Sequence, residues 1–310
     1  MTMTTSPPPV PTPAAGRVRR RRLGWALLAA IVVLALVLGG LWWFTGFSFP
    51  GQRYTDSTRL FDDFDGAAGS EPNPDVWSIQ TGGGGWGNEE LQEYTEDAVA
   101  LDGDGALVLT ATVPADGGTP TSGRLTTQGK WSFGYGRLSA RIKLPDGQGL
   151  LPAFWLLGDK VTTVGWPAAG EIDIVETPNT TTRSAHHLHG PTGASDHWAL
   201  NEGVDMPVPL SQDFHVYTVE KRPGRVIIAI DDQVVMDVEE WDVPLPGRWV
   251  FDDPTHALFS LAVGGNWPGD PDSTTPETSE MVIDWISYTP ADQIGETPIG
   301  TTYDDTGAER

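Results

Sequence analysis

An all-β sandwich or barrel is the fold the sequence predicts, and three observations carry that expectation. No helical period is sustained between about residues 60 and 288, and short runs there alternate apolar and polar side chains as strands do. The 310 residues also include 37 glycines and 26 prolines, enough for many turns between short strands. The clearest run is 137–144 (RLSARIKL), where Leu138, Ala140, Ile142 and Leu144 share one face and Arg137, Ser139, Arg141 and Lys143 the other. Similar runs are 106–113, 216–220, 225–230, 234–238 and 281–288, and Asp231 with Asp232 reads as a hairpin tip. A hydrophobic content of 39% suffices to fill a core, and no internal repeat is visible.

The flanks differ from this middle. Residues 1–16 are rich in Pro, Ser and Thr, and with the arginine cluster 17–22 they form an expected disordered cytoplasmic tail, residues 1–22. Residues 23–44 are uncharged and long enough to cross a hydrocarbon layer as a helix, with Trp25 near one end and Trp42 and Trp43 at the other. We expect a transmembrane anchor there, with the arginines cytoplasmic and all that follows extracytoplasmic; a cleaved signal peptide followed by secretion is the alternative. Residues 45–59 read as a linker, 60–289 as the folded domain, and the polar, turn-rich 290–310 as a disordered tail.

Charge and composition exclude several functions. The chain carries 19 Lys+Arg against 42 Asp+Glu, a net charge of −23. Residues 1–50 hold five arginines and no acid, so residues 51–310 carry 14 bases against 42 acids, a net −28. Such a surface repels phosphate backbones, so a nucleic-acid partner is excluded. With no cysteine there is no disulfide, zinc–thiolate site or cysteine nucleophile.

The most informative segment is 165–179, GWPAAGEIDIVETPN. In a regular strand Glu171, Asp173 and Val175 share a face and Glu176 falls on the other, toward the core, at a cost of several kcal/mol if ionised and unpaired. A β-bulge around Ile174 and Val175 removes the conflict, because one extra residue returns Glu176 to the face of Glu171 and Asp173. Three crowded carboxylates raise the protonation tendency of at least one of them. Two carboxyls of divergent acidity are what glycoside hydrolysis needs, one ionised and one carrying a proton. The bare pattern also fits a half-exposed strand with solvated acids, or a cation site.

The surrounding motifs extend the argument. GEIDIVE resembles the E-x-D-x-x-E signature of glycoside hydrolase family 16, in the bulged form of its laminarinase-like (endo-β-1,3-glucanase) branch. The resemblance continues through GGGGWGNEELQEYT (82–95), YGRLSARIKLPDGQG (135–149), PAFWLLG (152–158), LHGP (188–191), LAVGGNWPGDP (261–271) and MVIDWISY (281–288), so it covers about residues 60–289. It implies a two-sheet β-jelly-roll sandwich, here preceded by the transmembrane helix, with a cleft on its concave face. It also implies Glu171 as nucleophile, Glu176 as general acid and then base, and Asp173 tuning the nucleophile. The reaction would retain anomeric configuration, which requires the two outer carboxyls to sit ~5–5.5 Å apart.

By the same resemblance, Asn88, Arg141, Trp155, Trp166, His189 and Trp267 would contact sugar. Trp86, Trp166 and Trp267 lie in Gly/Pro-rich loops, where packing beneath a loop is the alternative, and a core role is the alternative for Trp155. His189 alone would more often be structural, and His186, His187 and His189 lack the second cluster of a metal motif. No cofactor is expected for catalysis. The resemblance implies a structural calcium held by Asp63 and Asp284 on the convex side, with an unmetallated acid pair as the alternative. Leu151, Ser139 and Ser260 depart from the family pattern, at positions expected near the cleft. The implied partner is a β-1,3-glucan or related polysaccharide, bound by a monomer. The competing functions are a non-catalytic glycan-binding module, and a transglycosylase or hydrolase acting on another envelope polysaccharide.

Overall fold

The computed structural model describes residues 59–193 and 196–302. The expected tail 1–22, anchor 23–44 and linker 45–59 (its last residue apart) lie outside the described residues, as do residues 303–310. Among the described residues no helix is long and apolar enough to cross a membrane.

Seventeen strands follow one another along the described chain: β1 (Leu60–Asp62), β2 (Ser78–Ile79), β3 (Glu93–Tyr94), β4 (Val99–Leu101), β5 (Leu107–Thr112), β6 (Thr121–Ser122), β7 (Arg124–Thr126), β8 (Gly136–Lys143), β9 (Leu150–Gly158), β10 (Glu171–Glu176), β11 (Arg183–Pro191), β12 (His197–Asp205), β13 (His215–Arg222), β14 (Arg225–Ile230), β15 (Gln233–Glu239), β16 (Thr255–Val263) and β17 (Thr278–Pro290). They form two sheets. One has ten strands, in the order β15-β14-β13-β8-β17-β5-β6-β3, with β1 beside β17 and β4 beside β5. The other has seven, in the order β12-β11-β10-β9-β16-β7-β2. The all-β, two-sheet expectation holds, and the runs read from the sequence fall on β5, β8, β13, β14, β15 and β17. Asp231 adopts φ 54° in the β14–β15 turn, where a short polar side chain tolerates the left-handed conformation.

The core is built from the alternation. On β5, Leu107, Leu109 and Ala111 are fully buried, and on β8 Leu138, Ala140 and Ile142 are too. Facing them, β16 is buried along its whole length, and the rings of Phe154 on β9 and Phe259 stack with centroids 4.8 Å apart. Rings of this size bury the most apolar area per residue, so these central strands carry much of the cohesion.

The face of β8 opposite its core residues is partly buried, with Arg137 3% and Ser139 1% exposed. One expectation needs correction: residues 290–310 are not wholly a disordered tail, because part of this segment docks on Arg137. A helical turn, Ala291–Ile294, buries Ile294, and the Arg137 guanidinium donates to the carbonyls of Thr297, Pro298 and Thr301. The same guanidinium pairs with Glu220 across the β8–β13 ladder. Composition hid this contact, because one apolar side chain and three carbonyls dock the segment rather than an amphipathic pattern.

Candidate active site

The site begins with an irregularity in β10. Against β11, Glu171 pairs with His189 and Asp173 with His187, but the register slips before Glu176, which pairs with Ala185. Against β9 it slips between Asp173 and Val175. This is the expected bulge. Ile174 and Val175 both turn inward and are fully buried with Ile172, so Glu176 returns to the face of Glu171 and Asp173. His186 supports it from beneath. Its Nδ1 lies 2.7 Å from the Ile174 carbonyl and its Nε2 3.0 Å from Ser184 Oγ. Burial lowers its pKa to about 4, so the ring is neutral. Nδ1–H therefore donates to the carbonyl, and Nε2 accepts from the hydroxyl.

The bulged face forms the floor of a cleft of about 590 Å³, walled by the seven-stranded sheet and three loops. Strands contribute Arg124, Leu151, Trp155, Glu171, Asp173, Glu176, His187, His189, Asn201 and Ser260; loops contribute Trp86, Asn88, Glu90, Trp166 and Trp267. The loop walls interlock through backbone. Asn266 N–H donates to the Asn88 carbonyl, and a Cβ on Gly265 (φ 108°) would stand 2.9 Å from Asn88 Nδ2. Only glycine admits that approach. Trp166 and Trp267 are 48% and 44% exposed, which leaves open faces for an apolar ligand surface. Trp155 is in the cleft wall rather than the core, with its Nε1–H donating to Ser260 Oγ.

The electrostatics are those of crowded acids. Asp173 is 4% exposed, and burial, then the neighbouring Glu176, hold its carboxyl well above the usual range. Glu171 is also held well above it, by burial first and then by Asp173. Two imidazoles face them: His187 Nδ1 lies 2.7 Å from Glu176 Oε2, and His189 Nε2 lies 3.4 Å from Asp173 Oδ2. Among the described residues lining the cleft, Arg124 is the one permanent cation. Its guanidinium lies 4.8 Å from the ring centroids of both Trp86 and Trp155. Glu90 is a fourth carboxyl, raised by burial, and it accepts from Gln92 and Tyr94.

The structure thus brings together Glu171, Asp173, Glu176, Asn88, Trp155, Trp166, His189 and Trp267. Arg141 is not with them. It projects from β8 of the other sheet, over the Phe214 ring, and pairs with Asp284 at 2.6 Å. Strand alternation showed that Arg141 faces away from the β8 core residues, but the sheet that β8 joins is set by non-local pairing. Arg124, His187, Glu90 and Asn201 are the residues that sequence reasoning missed. His187 had a local signal, since it is two residues from His189 on one strand and shares its face. Of the three departures, Leu151 and Ser260 line the cleft, whereas Ser139 is buried against Thr218 in the ten-stranded sheet.

Asp284, one of the two acids implied as calcium ligands, pairs with the Arg141 guanidinium at 2.6 Å. Among the described residues, Asp63 belongs to no group of three ligating side chains. Asp173, His187 and His189 do bring ligand atoms within 4.8 Å of one another. There, however, Nδ1 of His187 is engaged by Glu176, and buried Nδ1 of His189 lacks the acceptor that supports a ligating imidazole. The trio reads as part of a hydrogen-bonded acid array.

A profile of the glycosyl hydrolases family 16 matches residues 87–287, most of the described domain. The chain belongs to this family. Among family relatives, the chain is similar to a beta-glucanase of Rhodothermus marinus, 36% identical over 232 residues, spanning 69% of this chain and 79% of that protein. It is 35% identical over 213 residues to a glucan endo-1,3-beta-glucosidase of Cryptopygus antarcticus, spanning 63% of this chain and 77% of that protein. The crystal structure of an endo-beta-1,3-glucanase from Pyrococcus furiosus superposes with a TM-score of 0.67 at 38% identity, covering 74% of this chain and 93% of that one. The fold is the family's jelly-roll sandwich, and the bulged strand lies within the matched region.

Proposed function

We propose that this family 16 member is a retaining endo-glycosidase that hydrolyses β-1,3-glucan by double displacement. One observation carries the reading: the β10 bulge that turns Glu171, Asp173 and Glu176 onto one cleft floor. The relatives named for 1,3-β-glucan cleavage supply the substrate class. In the first step Glu171 attacks the anomeric carbon while Glu176 gives its proton to the leaving oxygen. In the second, Glu176 takes a proton from water, which displaces Glu171 from the sugar. Asp173, whose proton affinity is raised by burial and then by Glu176, sits between the two outer carboxyls and tunes the charge of Glu171. Trp166 and Trp267 offer ring faces to the apolar faces of glucose units, and Arg124 with Asn88 offers donors to their hydroxyls.

The test is turnover of laminarin, with mixed-linkage glucan, agarose and galactan alongside, and proton NMR of the first products. Release of β-anomers from laminarin is the expected result. Inverted products, or no turnover of any β-1,3-linked glucan, overturn the reading. Activity on agarose or galactan alone would move the substrate class. Membrane attachment through residues 23–44 is a further proposal, supported by the uncharged run behind the arginine cluster, as is action by a monomer. Release of the enzyme from membranes by salt without detergent would count against the anchor.

A further inference from the structure

We propose that His187 is a positioning residue for Glu176: its Nδ1–H holds Oε2 of that carboxyl and leaves Oε1 free to exchange the proton with the glycosidic oxygen. The inference rests on the acid/base role proposed for Glu176 and goes beyond it. Its origin is the bulge. By register His187 stands opposite Asp173, and in a regular ladder it would serve that residue alone. The inserted residue draws Glu176 into reach, so that Nδ1 lies 2.7 Å from Glu176 Oε2 and 3.8 Å from Asp173 Oδ2. The short contact is a hydrogen bond, while the longer one is outside that range.

The remaining surroundings of His187 fix the ring. From β11 its neighbour is the His189 ring, 5.7 Å away, and from β12 its register partner is Asn201. From the loop above, Trp267 meets it edge to face, with centroids 5.3 Å apart and planes at 71°. The side chain of His187 is 15% exposed, and Glu176 is 16% exposed. A carboxyl ending a flexible side chain would otherwise sample several rotamers at a cleft surface. A donor held on three sides selects one of them, the kind of preorganisation that makes a positioned proton donor effective. Because Trp267 is also an open ring at the cleft wall, a sugar stacked on it would press on the residue that aims the acid.

The experiment compares kcat/KM of the full-length protein and His187 variants on two aryl β-laminaribiosides. Phenol needs a proton to leave, whereas 2,4-dinitrophenolate does not. For H187A we expect a loss of ~10²-fold with the phenyl glycoside and little change with the dinitrophenyl one. Asn places an amide N–H where Nδ1 stands, so H187N should recover most of the loss, while H187Q, whose amide reaches the Nε2 position, should not. Equal losses on both substrates, no loss on either, or H187N no better than H187A would overturn the proposal. E176Q serves as the control for the parent reading. Should E176Q retain full activity on the phenyl glycoside, the acid/base assignment itself fails, an outcome distinguishable from failure of His187 alone.

Discussion

On β13 of the ten-stranded sheet, Glu220 is 1% exposed and lies between the guanidinium groups of Arg137 and Arg222. On β10 of the seven-stranded sheet, Asp173 is similarly hidden, but its ionisable neighbours are two further carboxyls and two imidazoles. Burial costs an ionised carboxylate several kcal/mol in either place, and only the first is offset by cations and hydrogen bonds. The pair on β13 joins β8, β13 and the C-terminal segment, so its energy goes into the architecture. Asp173 and Glu171 on β10 keep raised proton affinities, a perturbation typical of carboxyls placed for chemistry rather than for architecture.

The comparison can be broken most sharply at the uncompensated end. E176Q should lower kcat on laminarin by ~10²–10⁴-fold, and E171Q by at least as much, with circular dichroism unchanged. Activity near the wild-type level in either variant would reduce the β10 acids to surface chemistry. At the compensated end, Arg137→Met should destabilise the domain by about 3–5 kcal/mol in urea denaturation, since it leaves buried Glu220 with only the half-exposed Arg222 and frees three C-terminal carbonyls. A loss below ~1 kcal/mol, the range of surface ion pairs, would show that the pair is not energetically buried.

A subtler test concerns pH. Asp173 and Glu171 have raised proton affinity in the folded state, so the native protein binds more protons than the unfolded chain once the pH exceeds about 4. Their contribution to stability is full below that pH and is lost as pH rises through the folded values. Asp173→Asn, which mimics the protonated form, should match the wild-type melting temperature near pH 4 and exceed it at pH 7–8 while activity falls. A variant less stable than wild type at pH 8 would mean that the ionised form is stabilised after all. The smallest effect belongs to the Arg141–Asp284 pair, whose side chains are each about a third exposed. Arg141→Ala should cost less than ~1 kcal/mol and leave laminarin turnover intact. The implied calcium at Asp63 and Asp284 predicts that chelator lowers the melting temperature and that added calcium restores it, and an unchanged melting temperature would count against that site.

Local pattern was a good guide wherever a side chain's direction depends on its own strand. The faces of β5 and β8, the β14–β15 turn and the β10 bulge were legible, the last because the hydrophobic demand of Ile174 and Val175 conflicts with a regular strand carrying Glu176. What failed was assignment between sheets. Arg124 and Arg141 both sit on strands beside apolar residues, yet Arg124 lines the cleft and Arg141 pairs with Asp284 on the other sheet. The docking of residues 290–302 failed for a related reason, because its anchor points are carbonyls that every residue possesses.

By itself, then, the sequence determined an acidic all-β domain without cysteine and a strand that must bulge, because these follow from composition and from the two-residue period of a strand. Tertiary structure alone decided which arginine faces the acids, which of three adjacent histidines supports the bulge and which reaches Glu176, and that a polar C-terminal segment completes the fold. Sheet membership and register join residues far apart in the chain, and no local period encodes those distances.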